Sequence, residues 1–257
     1  VHAVMPGVWH IVDCMGVCMT LLEGENAAML VDTGYGIEDV ADFMRHMTDL
    51  PLTVFLTHNH HDHALGARCF PKTYMLEADM ADWRMFTDDK MRRRVLTQAI
   101  GKNLPVDEKT FLAGEIPLPK VMKPGVIDLG GLTAEIIEAP GHTPGSAVVY
   151  VPERKLLLSG DDWNPCTWLF FPQALGLREY RSNMRGIQQL PFEKVLCPHR
   201  EALYDRWMFD DFFNALTDGN LRAAEPVNIA PYEQIDTCQA TLPHDQVLVF
   251  DWAKSGL

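Results

Sequence analysis

Residues 58–63 read H-N-H-H-D-H, which places four of the chain's ten histidines and one aspartate within six positions of a 257-residue sequence. Imidazole and carboxylate groups bind first-row metal ions readily, and both also move protons near neutral pH. Side chains alternate along an extended chain, so a strand ending near Thr57 and continuing extended through His60 directs His58 and His60 to one face and one ion. Asp62 and His63 follow where the chain turns toward "ALGARCF", and they are placed to reach past that point to a second ion. His61 lies between them, points elsewhere, and is expected to be dispensable for metal binding. The competing reading is a polar turn without metal. It would crowd four imidazoles and a carboxylate that compete for the same protons and partners.

Further donors come in three later segments, each after an apolar run: His142 in "APGHTPGS" (139–146), Asp161 in "LLLSGDD" (156–162) and His199 in "VLCPHR" (195–200). Asp162 competes with Asp161 as a donor. Strand ends that meet at one edge of a sheet pair would bring all three to the first cluster.

The elements that must do this positioning can be read from periodicity. Apolar runs at 8–13, 17–23 and 27–32, separated by Gly16 and "EGEN", predict a β-meander. Residues 37–47 repeat at helical spacing, and 53–57 form a strand leading into the cluster. Residues 76–100 read as two helices divided near "TDDK", with Met80, Trp83, Met85 and Met91 packing them and the pair forming a pocket wall. Four prolines within 101–125 predict an extended connection, the seam between halves of about 1–120 and 121–257 in a single domain. Beyond it, strands are expected at 132–138, 147–151, 155–159, 194–197 and 246–252. Helices are expected at 178–190 and 201–218, the second ended by Gly219. Each half alone leaves an apolar sheet face bare, so two sheets should pack together with helices on both outsides, a four-layer α/β/β/α sandwich. The last strand either closes a sheet internally or pairs with another copy, and oligomeric state is left open.

The pattern H-x-H-x-D-H, followed in order by G-H-T-P-G-S, S-G-D and a strand-end histidine and preceded by "LVDTG" at 30–34, resembles the metallo-β-lactamase-fold hydrolase superfamily. The resemblance spans residues 30–200. It implies that His58, His60 and His142 hold a first metal, that Asp62, His63 and His199 hold a second, and that Asp161, directly after the glycine, bridges both. It also implies an active site at one edge of the two sheets, with Asp32 just behind the ligands. Zinc is the default ion for such ligands; manganese, iron, cobalt and nickel tolerate them too. Two cations ~3.5–4 Å apart would share a water, lower its pKa toward ~7 and present hydroxide to an electrophile, with Asp62 relaying a proton to the leaving group.

Departures within the superfamily narrow the substrate. An aspartate at position 161 speaks against antibiotic hydrolysis, and His60 stands where flavin-linked di-iron members carry glutamate. Small esters, lactones and thioesters are left as the expected substrates. Aromatic residues Trp163, Trp168, Phe170 and Phe171 next to Asp161 either fill core or line a pocket suited to an apolar or aromatic acyl group. Two alternatives are a mononuclear iron persulfide dioxygenase, which shares the H-x-H-x-D-H pattern, and a metal-binding protein without catalysis.

Composition bounds the remainder. A net charge of −13 gives no reason to expect nucleic acid or an anionic membrane as partner, and 47 % hydrophobic residues suffice for a large core. The one basic run, Lys90 with Arg92, Arg93 and Arg94, reads as a solvated helix face. Six cysteines without a C-x-x-C pair suit reduced thiols in a cytoplasm. No apolar run is long enough to cross a bilayer and no basic-then-apolar leader is present. The chain begins at Val1, so upstream residues are expected to have been removed.

Overall fold

The computed structural model describes all 257 residues. Two sheets lie face to face, because strands from both halves of the chain turn one of their apolar faces toward each other. In the first sheet, of seven strands ordered as they occur in sequence from His2–Met5 to Lys120–Val121, Val8, Leu22, Met29, Val31 and Phe55 point inward. They meet Ala134, Ile136, Ala147, Val149, Val151, Leu156, Leu158 and Leu196 of the second sheet. The residues between these in sequence turn outward. Ile11, Met19, Leu21, Leu30 and Val54 bury Val40 and Met44 of helix Val40–Met47. On the opposite outside, Val148, Tyr150, Leu157 and Val195 pack on helices Leu177–Ile187 and Arg206–Ala215. Burial on both faces explains why these strands read as nearly continuous apolar runs, and the result is the expected α/β/β/α sandwich.

Two parallel pairs set the position of the functional edge. Ala28–Val31 runs parallel to Leu52–Phe55, with Val31 opposite Phe55, and Leu156–Leu158 runs parallel to Lys194–Leu196, with Leu158 opposite Leu196. Parallel neighbours end in the same direction, so the segments beginning at Asp32, Leu56, Ser159 and Cys197 all leave the sandwich at one end. Backbone bonds from Ala147 to Thr57 (3.0 Å) and from Cys18 to Pro198 (2.7 Å) tie the two sheets together there.

Several expectations need correction. Residues 101–125 are not simply extended: Asp107 caps a short helix, Glu108–Phe111, and Lys120–Val121 pairs with Tyr74–Met75. Gly219 does not end the helix of 201–218. Strand Tyr204–Asp205 precedes Arg206–Ala215, and Thr217 caps a separate helix, Asp218–Arg222, that contains Gly219. A third, four-stranded sheet packs against the second-half helices. The last strand, Gln246–Asp251, lies inside it, parallel to Cys166–Leu169 and antiparallel to Thr237–Leu242. Met85 is exposed rather than packed. No helix is long and apolar enough to cross a membrane.

The basic run is not one solvated face. Successive helical residues are rotated by about 100°, and the three arginines of helix Asp89–Gly101 have separate surroundings. Arg92 is only 2 % exposed. Its guanidinium donates to the carbonyls of Phe111 (3.3 Å), Ala113 (3.5 Å) and Gly114 (2.7 Å) and pairs with Asp89. It therefore staples the 107–116 segment to the helix. Arg92→Ala should cost about 2–3 kcal/mol by removing charge-assisted bonds to three carbonyls, of which that of Phe111 is buried, read as a lowered unfolding midpoint and faster amide exchange across 107–116. Arg92→Lys should recover only part, because one ammonium cannot serve a fan of carbonyls. An unchanged midpoint in Arg92→Ala would show that the segment holds itself.

Candidate metal centre

The donors converge where the strand ends meet. Ligand atoms of His58, His60 and His142 lie within 4.8 Å of one another, as do those of His58, His63 and Asp161, and those of Asp62, His63 and His199. Asp161 sits among them. Its Oδ2 is 3.0 Å from His199 Nε2 and 3.5 Å from His142 Nε2, and its Oδ1 is 3.5 Å from His63 Nε2. His61 belongs to none of these groups and turns its ring edge to Tyr35.

Each imidazole is held by the nitrogen that faces away from the cluster. Thr57 Oγ1 donates to Asp32 and accepts from His58 Nδ1 (3.0 Å), which leaves His58 Nε2 as a buried lone pair without a protein partner. His63 Nδ1 donates to Asp32 Oδ2 (3.0 Å), and His63 Nε2 is likewise unpartnered. His142 Nδ1 donates to the carbonyl of Trp168 (2.6 Å). Asp32 thus orients two imidazoles, one directly and one through a hydroxyl, and its position is locked from both sides: its backbone sits at φ 63°, and the neighbouring Thr33 donates twice to the His63 carbonyl.

Burial acts on the protonation of the donors. It pushes His58 and His60 well below the ordinary histidine range, with neighbouring imidazoles adding to the effect, and lowers His142 as well. These three stay neutral and keep lone pairs for an ion. Burial works against the charge of Asp161, yet His199 and His63 hold its carboxyl well below the usual range. In the same way Asp62 is held at about 2, against burial, by His63, His61 and His199. His58 Nε2, His63 Nε2 and Asp161 Oδ1 are buried without a partner around one small space. Against burial, Asp161, Asp62 and Asp32 hold His63 well above the ordinary histidine range, so a divalent cation would take the place of its proton. The residues present therefore fit such an ion.

Three positioning features have no sequence signature. Asp79 accepts from the backbone nitrogens of Asn59 (3.1 Å) and Gly145 (2.6 Å) and from Thr143 Oγ1 (2.7 Å), clipping the 58–63 loop to the 141–146 turn. Its burial pushes its pKa up to about 6. Gly145 must be glycine here, because a Cβ would lie 2.6 Å from the Asp79 nitrogen. Asp162, the rival of Asp161, turns away from the donors and accepts from the backbone nitrogen of His142 (3.0 Å). Gly160, at φ 51°, makes the turn that separates the two aspartates from their strand. The third feature is Gln173, whose side-chain amide lies 2.6 Å from His60 Nε2, while His60 Nδ1 faces His142 Nε2 at 2.8 Å.

Beyond the donors opens a cavity of about 470 Å³, with His60, His61, Asp62, His142, Asp161 and His199 in its floor. Its apolar wall is Phe86, Trp168, Phe171 and Tyr232. Phe86 and Phe171 close on the His60 ring at 4.6 and 4.8 Å between centroids. The aromatic stretch after Asp161 thus divides: Trp168 and Phe171 face the cavity, whereas Trp163 and Phe170 are fully buried core.

Residues 12–199 match the family model described as the metallo-beta-lactamase superfamily. The chain belongs to that superfamily. Acyl-coenzyme A thioesterase MBLAC2 of Gallus gallus is 25 % identical over 202 residues, 70 % of each chain. Among solved structures, the metallo-beta-lactamase family protein TTHA1429 from Thermus thermophilus superimposes with a TM-score of 0.59 at 20 % identity, over 86 % of this chain and 82 % of that one. The di-iron-bound form of TTHA1623 gives 0.55 at 21 % identity, over 79 % and 97 %. These likenesses show the fold, and superfamily membership places the chain among metal-dependent hydrolases.

Gln173 yields a test. The amide atom nearest His60 Nε2 is the nitrogen. Turned over by half a rotation, the amide would accept from an Nε2–H and leave the Nδ1 lone pair facing the donor cluster, the orienting role such partners play at metal sites. Gln173→Ala should weaken metal affinity by about 10–100-fold in chelator competition, and Gln173→Glu, which can only accept, should retain it. Loss of affinity in the Glu variant would assign the amide the opposite orientation.

Proposed function

We propose that the chain is a dinuclear hydrolase of small acyl esters, with thioesters favoured. Its support is the assembly of two donor triads, His58–His60–His142 and Asp62–His63–His199, around the single carboxylate of Asp161 at the floor of an aromatic cavity. A mononuclear dioxygenase needs only one triad, and a binding protein needs no shared carboxylate between two. Both halves of the chain, about 1–120 and 121–257, contribute donors to this one site.

When bound, two divalent ions, zinc by preference, would polarise the substrate carbonyl and lower the pKa of a water held between them toward ~7. The chain's own residues do the remainder. Asp161 and the histidines fix the positions of attack, while Asp62, ionised, takes a proton at the oxygen that faces the cavity and returns it to the departing sulfur or oxygen. Phe86, Phe171 and Trp168 exclude water from an apolar or aromatic acyl group. Thioesters are favoured because the curated relative is named an acyl-coenzyme A thioesterase. Iron is the rival ion, since TTHA1623 was solved with two. A cytoplasmic setting belongs to the same reading, supported by six unpaired cysteines.

The test is metal analysis with a panel of aryl-acyl thioesters, esters and lactones. Two equivalents of metal per chain and thioester turnover are expected, with activity lost on chelation and in Asp161→Ala. His61→Ala should keep its metal, whereas His60→Ala should lose at least one equivalent. A metal-replete protein inert across the panel would overturn the hydrolase reading, and metal lost in His61→Ala but kept in His60→Ala would overturn the ligand division.

A further inference from the structure

The cavity has a second, charged wall. Arg94 and Arg200 both line it, Arg94 from the outer face of helix Asp89–Gly101 and Arg200 from the residue after His199. They come from elements 106 positions apart in a chain of net charge −13. Gln98, one helical turn beyond Arg94, lines the same cavity, so the Arg94 face of this helix is turned to it. Arg92 and Arg93, on other faces, do not reach it.

Both guanidiniums are exposed at the cavity mouth, and neither pairs with a carboxylate of the chain. Five of the thirteen arginines, Arg45, Arg84, Arg92, Arg181 and Arg206, have an acidic partner; of the other eight, Arg94 and Arg200 are the two that line this cavity. In a protein with 35 acidic side chains to 22 basic ones, two arginines without a carboxylate partner meet at one cavity. Arg200 Nη1 donates to the His199 carbonyl (2.8 Å), which holds its root over the donor cluster and leaves its other donors free. Arg94 is close enough to bear electrostatically on His61 and Tyr35 at the cavity floor. Phe86, Trp168, Phe171 and Tyr232 line the same cavity and bring ring surface without charge.

A cavity with one aromatic wall, one cationic rim and a hydrolytic floor between them selects a substrate with two unlike arms. We propose that the scissile bond joins an apolar or aromatic acyl group, held on the aromatic wall, to a leaving arm that ends in a phosphate or carboxylate read by Arg94 and Arg200. The pair is a specificity device and not part of the hydrolytic machinery. A planar guanidinium binds either anion through paired N–H donors, and such charge-assisted bonds are about twice as strong as neutral ones. This inference rests on the hydrolase reading of the same site and specifies its substrate.

The metal-loaded enzyme is given three thioesters with one 3-phenylpropanoyl acyl group and leaving thiols of equal length, ending in phosphate, carboxylate or a neutral amide. At least one anionic thioester should exceed the neutral one in kcat/KM by about tenfold or more, through KM, and added salt should shrink the advantage. Arg94→Ala should remove most of it while changing the neutral substrate less than about twofold, Arg200→Ala should also reduce it, and Arg93→Ala should change neither. The ratio of phosphate to carboxylate rates tells which anion is read. Equal rates for all three thioesters, or an equal loss on neutral and anionic substrates in Arg94→Ala, would overturn the proposal. Non-hydrolysable thioether versions are titrated alongside by calorimetry. Anion-dependent binding lost in Arg94→Ala, with no thioester hydrolysed, would sink the hydrolase reading and leave the anion rim standing. Turnover with no preference in either rate or binding does the reverse.

Discussion

Ligand atoms that converge in a buried space are the constraint on which this molecule turns. His58 Nε2, His63 Nε2 and Asp161 Oδ1 have no protein partner, and His60 and His142 present nitrogens to each other at 2.8 Å. Unshielded, such atoms repel one another and would rotate away to find donors. Each is therefore held by its far side. Thr57 and Asp32 hold two rings, the Trp168 carbonyl a third, and the Gln173 amide a fourth. Four anchors from different stretches of the chain mean that the cluster can form only once both sheets have met. The backbone bonds between Ala147 and Thr57 and between Cys18 and Pro198 occur at this same edge.

The sandwich and the cavity are built from different material. Parallel strand pairs within the two packed sheets fix where Asp32, His58, Asp161 and His199 emerge. The walls of the cavity come from outside that frame. Phe86 and Arg94 belong to helices inserted after the first cluster, and Trp168 lies on a strand of the third sheet. Such a division lets the wall vary while the donor geometry stays fixed by the core. The Arg92 staple then has a clear place: it secures the 107–116 segment beneath the helix that carries Arg94.

Sequence alone made the donors legible because their information is local. Four imidazoles in six residues, a glycine-bounded histidine and an aspartate at a strand end each declare themselves within one short segment. Periodicity also revealed the two main sheets, since their strands are apolar on both faces. What remained hidden depends on contacts between distant residues. Gln173 is 113 positions from His60, and Asp79 is 66 from Gly145, so neither stretch has a pattern to notice. Cys166–Leu169 escaped because its aromatic neighbours serve core and cavity alternately, and Thr237–Leu242 because polar residues interrupt it. The three arginines were misread as one face because a run of like charge suggests solvent, whereas a helix gives each successive residue a different direction.

Charge explains why an acidic protein would gather cations at its working site. Asp32, Asp62 and Asp161 bring three negative charges to the floor, set beside imidazoles of which burial keeps His58, His60 and His142 neutral. Two divalent ions would bring four positive charges against these three carboxylates and one hydroxide, leaving the floor close to neutral. Arg94 and Arg200 add positive charge at the mouth, while the chain as a whole stays strongly negative. The field lines from such a patch are focused by the low-dielectric aromatic wall, which raises the local concentration of anions at the mouth relative to neutral molecules of the same shape. Selection by charge at the mouth and by ring contact at the wall would act on opposite arms of one substrate. The bond between those arms would then lie over Asp161, the one carboxylate within 3.5 Å of histidines from both triads.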